Sequence, residues 1–214
     1  TPNRVDAASH IGVARDLAAY LKSRGENVAM KLPDVSAFAP DDHSLEVKIR
    51  VENPEAAPRY VGVTVKGCKI APSPEWMQNC LRAAGINPKN NLVDITNFVL
   101  FELGQPLHAF DADKIEGREV VVRTCAEGTP FVTLDGVERK LTDKDLMICS
   151  AERPMCIAGV FGGLDSGISD TTTDVFIESA YFNPVWVRKT AKRFGLNTDS
   201  SFRFERGIDP NMQV

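Results

Sequence analysis

The stretch FVTLDGVERKLTDKDLMIC, residues 131–149, decides the fold class of this chain. An Asp-Gly pair at 135–136 separates two runs of strand-forming residues, a strong signal for a β-hairpin with a two-residue loop between residues 131–134 and 137–141. The apolar run at 146–149 predicts a further, buried strand directly after the hairpin. Because strand follows strand here with no helix between them, the pattern favours an α+β fold over a regularly alternating α/β fold.

The same kinds of signal, followed outward from the hairpin, place the remaining elements. Alternating or continuous apolar runs predict the other strands, at residues 45–51, 61–65, 120–122, 155–160 and 175–181. Capping residues and terminal glycines predict four helices, from Ser9 to Gly25, from Ser73 to Gly85, from Asp94 to Gly104 and from Asn183 to Gly195. We therefore expect an α+β fold with a β-rich, layered, sandwich-like core and flanking helices, plus a small N-terminal α/β piece.

A Pro- and Asn-containing interruption at residues 53–58 separates the first predicted strand from the next one. It predicts two parts, a partial N-terminal module with a linker over residues 1–54 and a main domain over residues 55–214. The chain opens on Thr1 with neither a methionine nor a signal peptide, so we expect it to be a portion of a longer protein.

Composition narrows the class of protein. The chain has 214 residues, 43% of them hydrophobic, and no apolar run approaches the ~20 residues of a membrane helix. The formal net charge of −4 argues against a nucleic-acid-binding surface over the whole molecule and confines any RNA contact to a local patch. The five cysteines, mostly in apolar runs, predict buried thiols in a reducing compartment. Neither they nor the three separated histidines have the spacing of a zinc site.

One local basic patch lies near the end of the sequence. Between residues 183 and 206, six basic residues stand against two acidic ones, which gives a local charge of +4. The candidates for phosphate contact are Arg188, Lys189, Lys192 and Arg193. The alternative interpretation is a solvated helix face whose cations are favoured by the helix dipole.

Polar residues interrupt an otherwise apolar stretch at residues 94–111. In a functional interpretation, Thr96 and Asn97 supply hydrogen-bonding groups to a cleft, and His108 positions a polar ligand or a water molecule. In the structural alternative, Asp94 caps the helix, the polar residues after it fill the first turn, and His108 is hydrogen-bonded within the fold. The residues by themselves leave both interpretations open.

Two further features are typical of a binding site. A glycine-rich loop at residues 158–163 follows a predicted strand, which permits either a tight turn or a close approach of backbone N–H groups to a ligand. Strict alternation in the strand at 175–181 places Glu178 on the same face as apolar side chains. Burying an unpaired charge costs several kcal/mol, so this carboxylate lies either at an exposed edge or in a pocket that uses it.

Taken together, these stretches resemble the editing domain in the beta chains of bacterial phenylalanine–tRNA ligases. The resemblance rests on Thr-Asn and Gly-Gln-Pro-x-His-Ala-Phe-Asp within residues 94–111, Thr-Leu-Asp-Gly at 133–136, Ala-Gly-Val-Phe-Gly-Gly at 158–163, Glu178, and the segments at 188–191 and 202–207. It runs in order from about residue 55 to the end. Residues 1–21 are similar to the module that precedes this domain in the family.

The resemblance implies hydrolytic editing of tyrosine that has been esterified to the tRNA for phenylalanine. A phenylalanine pocket rejects tyrosine only about 100-fold, because the two differ by one hydroxyl, so a second site must remove the error. The family's catalytic groups correspond to His108, Thr96 and Asn97, and its substrate-binding groups to Glu178, Gly159, Gly162, Ala158, Thr198 and Ser200.

Each group then has an expected role. Glu178 accepts a hydrogen bond from the tyrosine hydroxyl, whereas phenylalanine leaves this carboxylate desolvated and unpaired. His108 and backbone N–H groups of the glycine loop orient water and stabilise the oxyanion on the ester carbonyl. No nucleophile-base pair of the Ser-His or Cys-His kind is evident, so we expect no covalent intermediate. Ser200 stands where the family commonly has alanine, which would narrow the pocket or add a polar contact.

The resemblance also implies a cytoplasmic parent enzyme that attaches phenylalanine to tRNA with ATP and Mg²⁺, assembled from two alpha and two beta chains. The partners are then the tRNA for phenylalanine and the alpha subunit, without DNA or membrane, and this portion itself holds no cofactor or metal. Two other functions stay open. One is a non-catalytic scaffold that binds tRNA and the alpha subunit, and the other is a free-standing hydrolase of aminoacyl-tRNA.

Overall fold

The computed structural model describes residues 3–214, so Thr1 and Pro2 of the family-like opening lie outside the described residues. The α-helices are α1 (His10–Ser23), α2 (Glu75–Ala83), α3 (Asn91–Leu103), α4 (Pro184–Phe194) and α5 (Asp199–Phe204). The strands are β1 (Lys48–Val51), β2 (Arg59–Val65), β3 (Leu107–Asp111), β4 (Glu119–Thr124), β5 (Pro130–Val132), β6 (Glu138–Lys140), β7 (Leu146–Cys149), β8 (Pro154–Ile157), β9 (Phe161–Gly162) and β10 (Val175–Tyr181). Within residues 3–214, no helix has both the length and the apolar character that crossing a bilayer requires.

The strands form two large sheets and one hairpin. The first sheet has the order β1-β4-β7-β8-β9, with β1 parallel to β4 and the other neighbours antiparallel. The second sheet is antiparallel with the order β2-β10-β3, so β10 is its central strand. Buried residues of both sheets, such as Phe110 and Phe176 from one and Val121 and Met147 from the other, belong to a single core. The predicted α+β fold with a layered, β-rich core is therefore confirmed.

The hairpin of residues 131–141 forms as predicted, but its loop is longer than the expected two residues. The Gly136 N–H donates to the Thr133 carbonyl at 2.8 Å, and the Thr133 N–H donates to the Val137 carbonyl at 3.1 Å. Gly136 has a φ of +76°, a left-handed conformation that glycine adopts without steric cost. The connection is thus a turn followed by a glycine bulge, the usual form of a three-residue hairpin loop.

The predicted helix caps are correct for two helices and wrong for two others. Ser9 caps α1 and Asn183 caps α4 through their side-chain oxygens. By contrast, α3 begins earlier than predicted because Asn90 is its cap, which leaves Asp94 inside the helix and fully buried. Asp94 accepts a hydrogen bond from the Ser73 hydroxyl at 2.6 Å, so Ser73 serves this carboxylate and does not cap α2.

Two of the elements that the sequence patterns missed bear on the site. The sequence patterns predict no strand at β3, yet it pairs with β10 and places His108 opposite Glu178. α5 is a six-residue helix capped by the Thr198 side chain. Both are short, and β3 is stabilised by a partner strand that lies far along the sequence, so local periodicity carries little signal for them.

Two other sequence predictions meet the structure differently. The division at residues 54 and 55 stays a prediction, although β1, which precedes it, pairs in register with β4, which follows it. The prediction of buried cysteines holds for Cys149 and Cys156, whereas Cys68 and Cys125 are partly buried. It is wrong for Cys80, which lies on the exposed side of α2 because the apolar face of that helix is formed by other residues.

Candidate functional site

A cavity of about 470 Å³ opens between α3, the central part of the second sheet, the glycine-rich loop and the start of α5. Eight of the nine predicted catalytic and substrate-binding residues line it, namely Thr96, Asn97, His108, Gly159, Gly162, Glu178, Thr198 and Ser200. Ala158 is the exception, because it is buried behind the lining with its N–H bonded to the Leu146 carbonyl at 3.0 Å. The fold therefore brings together in one cavity residues that lie on separate elements.

Glu178 lies on the central strand β10, and its side chain is only 4% exposed. Burial raises the pKa of its carboxyl to about 8, although a hydrogen bond from Tyr60 opposes this shift. The Tyr60 hydroxyl donates to Glu178 Oε2 at 2.7 Å. Tyr60 thus pairs with one oxygen of the carboxyl in the absence of a ligand, the other oxygen has no hydrogen bond within the described residues, and the raised pKa favours the neutral form.

His108 lies beside Glu178 on the neighbouring strand β3, since the two residues are direct cross-strand partners. Burial lowers the pKa of His108 to about 4, so the imidazole is neutral at physiological pH. Its Nε2 atom is buried, and no other atom of residues 3–214 forms a hydrogen bond with it. The structural alternative of a hydrogen-bonded histidine therefore does not hold at this nitrogen, which is free to meet a ligand.

The position of the His108 ring depends on two neighbours. Phe110 packs edge-to-face against it, with ring centroids 4.4 Å apart. Gly162 lies so close that a Cβ atom there would be 3.1 Å from His108 Cε1 and 2.9 Å from a methyl carbon of Leu134. A side chain at position 162 would therefore displace the imidazole or the hairpin above it.

Thr96 and Asn97 both line the cavity from α3, but they differ in how many of their hydrogen-bonding groups are still free. The Thr96 hydroxyl donates to the Val93 carbonyl at 2.7 Å, so its proton is used within the helix and only its lone pairs remain. Asn97 is partly buried in the lining, and its amide can both donate and accept hydrogen bonds. Of the two, Asn97 is the stronger candidate for contacting a carbonyl oxygen.

The glycine-rich loop forms a tight turn, and part of its backbone is already hydrogen-bonded. The Val160 N–H donates to the Ile157 carbonyl and the Gly163 N–H to the Met155 carbonyl, each at 2.9 Å. Gly159 has a φ of +68°, and a Cβ atom there would be 2.9 Å from the Phe204 ring. The sequence pattern allowed either a turn or a ligand-facing loop. With the Ala158 N–H already bonded to the Leu146 carbonyl, three N–H groups of the loop are unavailable to an oxyanion.

Thr198 and Ser200 border the cavity at the start of α5. The Thr198 hydroxyl donates to the Val160 carbonyl at 3.0 Å and accepts from the Ser201 N–H at 3.0 Å. Thr198 thus attaches α5 to the glycine-rich loop, and its hydroxyl is fully used by the fold. Ser200 is partly buried in the lining, where it presents a hydroxyl to a ligand.

Comparison with known proteins identifies the family, since residues 56–214 match the B3/4 domain. The chain belongs to the B3/4 domain family. It is 65% identical over 214 residues to a phenylalanine–tRNA ligase beta subunit from Bacteroides fragilis, covering 100% of this chain and 26% of that protein. The beta subunit from Porphyromonas gingivalis is 60% identical over 211 residues, covering 98% of this chain and 26% of that protein.

A more distant beta subunit, from Salinibacter ruber, is 49% identical over 215 residues and covers 100% of this chain and 25% of that protein. The chain thus spans about a quarter of the length of the curated relatives it matches. Among solved structures, an N-terminal fragment of the phenylalanyl-tRNA synthetase beta-subunit from Pyrococcus horikoshii is 16% identical with a TM-score of 0.48. That likeness covers 90% of this chain and 59% of the other.

Sequence reasoning missed several residues that shape the cavity of this B3/4 domain. Leu134 from the hairpin, Cys156 from β8 and Lys89 before α3 all line it. Burial raises the pKa of the Cys156 thiol, so this group stays protonated. Tyr60 does not line the cavity and acts from behind Glu178. Alternation along β2 could have assigned Tyr60 to one face of that strand, but only the register of β2 with β10 shows that Tyr60 reaches Glu178.

The basic patch of the B3/4 domain is smaller than the sequence indicated. Arg188, Lys189 and Lys192 are exposed on α4. Arg193 instead forms an ion pair with Asp145 and lies over the Phe194 ring, its guanidinium carbon 3.8 Å from the centroid. The assignment of Arg193 as a free phosphate contact is therefore not supported by its contacts, while its three neighbours remain available.

Proposed function

We propose that this chain is the editing part of a phenylalanine–tRNA ligase beta subunit and hydrolyses tyrosine from the tRNA for phenylalanine. The observation that carries the proposal is the single cavity that joins Asn97, His108 and Glu178, in a chain 65% identical to such a subunit. Neutral imidazole, amide and carboxyl groups suit the uncharged aromatic side chain of an amino-acid ester.

Recognition of tyrosine is assigned to Glu178. Its Oε2 is held by Tyr60, and the rest of the carboxyl faces the cavity. A phenolic hydroxyl placed there forms a hydrogen bond that phenylalanine lacks. Phenylalanine would bury this polar group without a partner on the ligand side, and leaving a buried polar group unsatisfied costs about 1–3 kcal/mol. Tyrosine is therefore the preferred substrate.

Hydrolysis is assigned to water positioned by His108. The neutral Nε2 atom of His108 is buried at the cavity and accepts or donates a hydrogen bond according to its tautomer. A water oxygen attacks the ester carbonyl carbon, the bond from that carbon to the tRNA oxygen breaks, and tyrosine and a free tRNA hydroxyl are released. The Asn97 amide, which lines the cavity, is assigned to donate to the carbonyl oxygen as negative charge develops on it.

Contact with the tRNA is assigned to exposed cations on α4 and at the rim of the cavity. Arg188, Lys189 and Lys192 on α4 are exposed, and Lys89 lies at the cavity wall. Phosphate contacts of this kind weaken with added salt. The proposed parent enzyme contains the alpha subunit, is assembled from two alpha and two beta chains, and is located in the cytoplasm.

We assign the ATP and Mg²⁺ of the ligase reaction to other parts of that parent. Within residues 3–214, no group of three or more His, Cys, Asp or Glu side chains is arranged to hold a metal ion. The described residues therefore offer no cluster of three metal-binding side chains, and no step of the proposed editing reaction uses a metal ion.

The proposal is tested by deacylation of tyrosyl-tRNA specific for phenylalanine, with the intact ligase that contains this chain. We expect His108→Ala to slow the reaction about 100-fold, the lower end of what a positioned acid–base residue contributes. His43→Ala is the matched control, because His43 is exposed and outside the cavity. Full activity of His108→Ala would contradict the assignment of this residue.

The same experiment distinguishes the scaffold alternative. A wild-type enzyme that binds the tRNA and the alpha subunit but leaves tyrosyl-tRNA intact would support a non-catalytic module. Hydrolysis of tyrosyl-tRNA by the 214-residue chain without the alpha subunit would support a free-standing hydrolase.

A further inference from the structure

Three polar or small residues form a row across the second sheet, and two of them, His108 and Glu178, line the cavity. In the register of the sheet, Glu178 on β10 lies between His108 on β3 and Gly62 on β2. Residues paired across antiparallel strands place their side chains on the same face. Tyr60 lies two residues from Gly62 and thus on that same face, so its ring reaches diagonally to Glu178.

Tyr60 lies behind the wall of the cavity. Its hydroxyl donates to Glu178 Oε2 at 2.7 Å, and its ring lies near Phe182, with centroids 6.3 Å apart. Glu178 itself lines the cavity. Within the described residues its side chain forms one hydrogen bond, which Oε2 accepts from Tyr60. The two oxygens of the carboxyl are therefore in different environments, one held by the protein and the other available on the cavity side.

Resting on the function proposed above, we propose that Tyr60 is a positioning residue that determines specificity through Glu178. By donating to Oε2, it selects the side-chain conformation in which Oε1 meets the para-hydroxyl of an aromatic amino-acid ester. Without this bond, the carboxyl is free to rotate, and the difference between a hydroxylated and a plain aromatic ring becomes smaller.

Neutral neighbours surround this carboxyl in the folded protein at about pH 7. Burial raises the pKa of Tyr60 above its ordinary value, burial raises that of Cys156 on β8, and burial lowers that of His108 to about 4. The charged groups on the lining are Lys89 before α3 and Asp199 on α5, both exposed to solvent. The titration of Glu178 near pH 8 is therefore the main change of charge inside the cavity.

Two consequences follow for selectivity. A hydrogen bond to an ionised carboxylate is about twice as strong as one to a neutral group, so preference for tyrosine over phenylalanine rises as Glu178 ionises. The bond from Tyr60 lowers the pKa of Glu178. Removing the Tyr60 hydroxyl therefore moves this rise in selectivity to higher pH.

The test compares Tyr60→Phe with Tyr181→Phe, a matched control on β10 whose side chain is on the opposite face from Glu178. Deacylation of tyrosyl-tRNA and phenylalanyl-tRNA by the intact ligase is measured between about pH 6 and about pH 9. We expect Tyr60→Phe to reduce the tyrosine preference by about threefold to tenfold near neutral pH, the worth of one net hydrogen bond, with a smaller effect on kcat for tyrosine. Tyr181→Phe should match the wild type.

A second readout needs no activity. The ¹³C chemical shift of the Glu178 carboxyl is titrated by NMR in the wild type and both variants. We expect a midpoint near pH 8 in the wild type and Tyr181→Phe, and a higher one in Tyr60→Phe. An unchanged midpoint in folded Tyr60→Phe would overturn the inference whether or not the enzyme edits. A wild type that leaves tyrosyl-tRNA intact would overturn the proposed function instead.

Discussion

Asp145 and Glu178 are both buried carboxyl groups, 1% and 4% exposed, yet the fold treats them in opposite ways. Asp145 accepts hydrogen bonds from the N–H and the hydroxyl of Thr142 and from the Thr190 hydroxyl, and it pairs with Arg193. Glu178 receives one hydrogen bond, from Tyr60.

The comparison distinguishes a carboxyl that stabilises the fold, Asp145, from one that we propose contacts a ligand, Glu178. Buried polar groups in stable folds are nearly always satisfied, so an incompletely satisfied carboxyl beside an unpartnered His108 Nε2 needs a reason. Both Glu178 and His108 line the cavity of about 470 Å³, where a bound ligand would supply the missing hydrogen-bond partners. The contrast predicts that changes at Asp145 affect stability, whereas changes at Glu178 affect selectivity.

The largest expected effect is on stability at Asp145. Asp145→Ala removes the acceptor for three hydrogen bonds, leaves their donors unsatisfied in the interior and removes the ion-pair partner of Arg193, so we expect the free energy of unfolding to fall by about 3–5 kcal/mol. Denaturant unfolding measures it. Asp143→Ala, an exposed neighbour, is the control and should change stability by no more than about 0.5 kcal/mol. Equal effects at the two positions would contradict the comparison.

A smaller effect is expected from the partner on α4. Arg193→Ala leaves Asp145 with its threonine donors but removes the ion pair and the stacking on Phe194, so we expect a loss of about 1–2 kcal/mol. Lys192→Ala is the adjacent control on the exposed side of the helix and should be close to neutral. Thermal unfolding of both variants checks this, and a larger loss for Lys192→Ala would reverse the assignment.

The smallest effect on stability is expected at Glu178, and it depends on pH. Since burial raises the pKa of the folded carboxyl to about 8, the stability that its neutral form contributes is complete below about pH 4.5 and is lost as the pH rises toward 8. Glu178→Gln keeps an acceptor for Tyr60 but cannot ionise. We therefore expect the wild type to lose about 1 kcal/mol relative to this variant between about pH 5 and about pH 8.

His108 contributes with the opposite sign and does not confuse that measurement. Burial lowers its pKa to about 4, so its contribution to stability is lost as the pH falls below its ordinary value of 6.5. Because both proteins retain His108, the effect cancels in the difference between them. Parallel pH profiles for the wild type and Glu178→Gln would show that this carboxyl ionises normally in the folded protein.

Sequence patterns identified Glu178, the carboxyl with one hydrogen bond, but not Asp145, the carboxyl with several. Alternation along β10 was enough to place Glu178 on an apolar face, because the period of a strand is a local property. Its partner Tyr60 lies 118 residues away, and only strand register brings the two together. No sequence pattern indicated the role of Asp145, because Thr190 lies 45 residues further along the chain and their contact has no local sequence signal.

The site residues divide in the same way. The polar pattern at residues 94–111 predicts that Thr96, Asn97 and His108 share a cleft, and pairing of β3 with β10 places His108 against Glu178. Thr198 was grouped with them, yet its hydroxyl is consumed by the cap of α5 and by the glycine-rich loop. Sequence motifs therefore located the cavity, whereas the hydrogen bonds decide which of its polar groups are free to act.

In the proposed function, the cavity hydrolyses tyrosyl esters and Glu178 selects them. The most direct measurement is the ratio of deacylation rates for tyrosyl-tRNA and phenylalanyl-tRNA, with the intact ligase as wild type and as Glu178→Ala. We predict a ratio at least about tenfold in favour of tyrosine in the wild type, falling toward one in the variant. A ratio that stays unchanged when Glu178 is replaced would contradict the account.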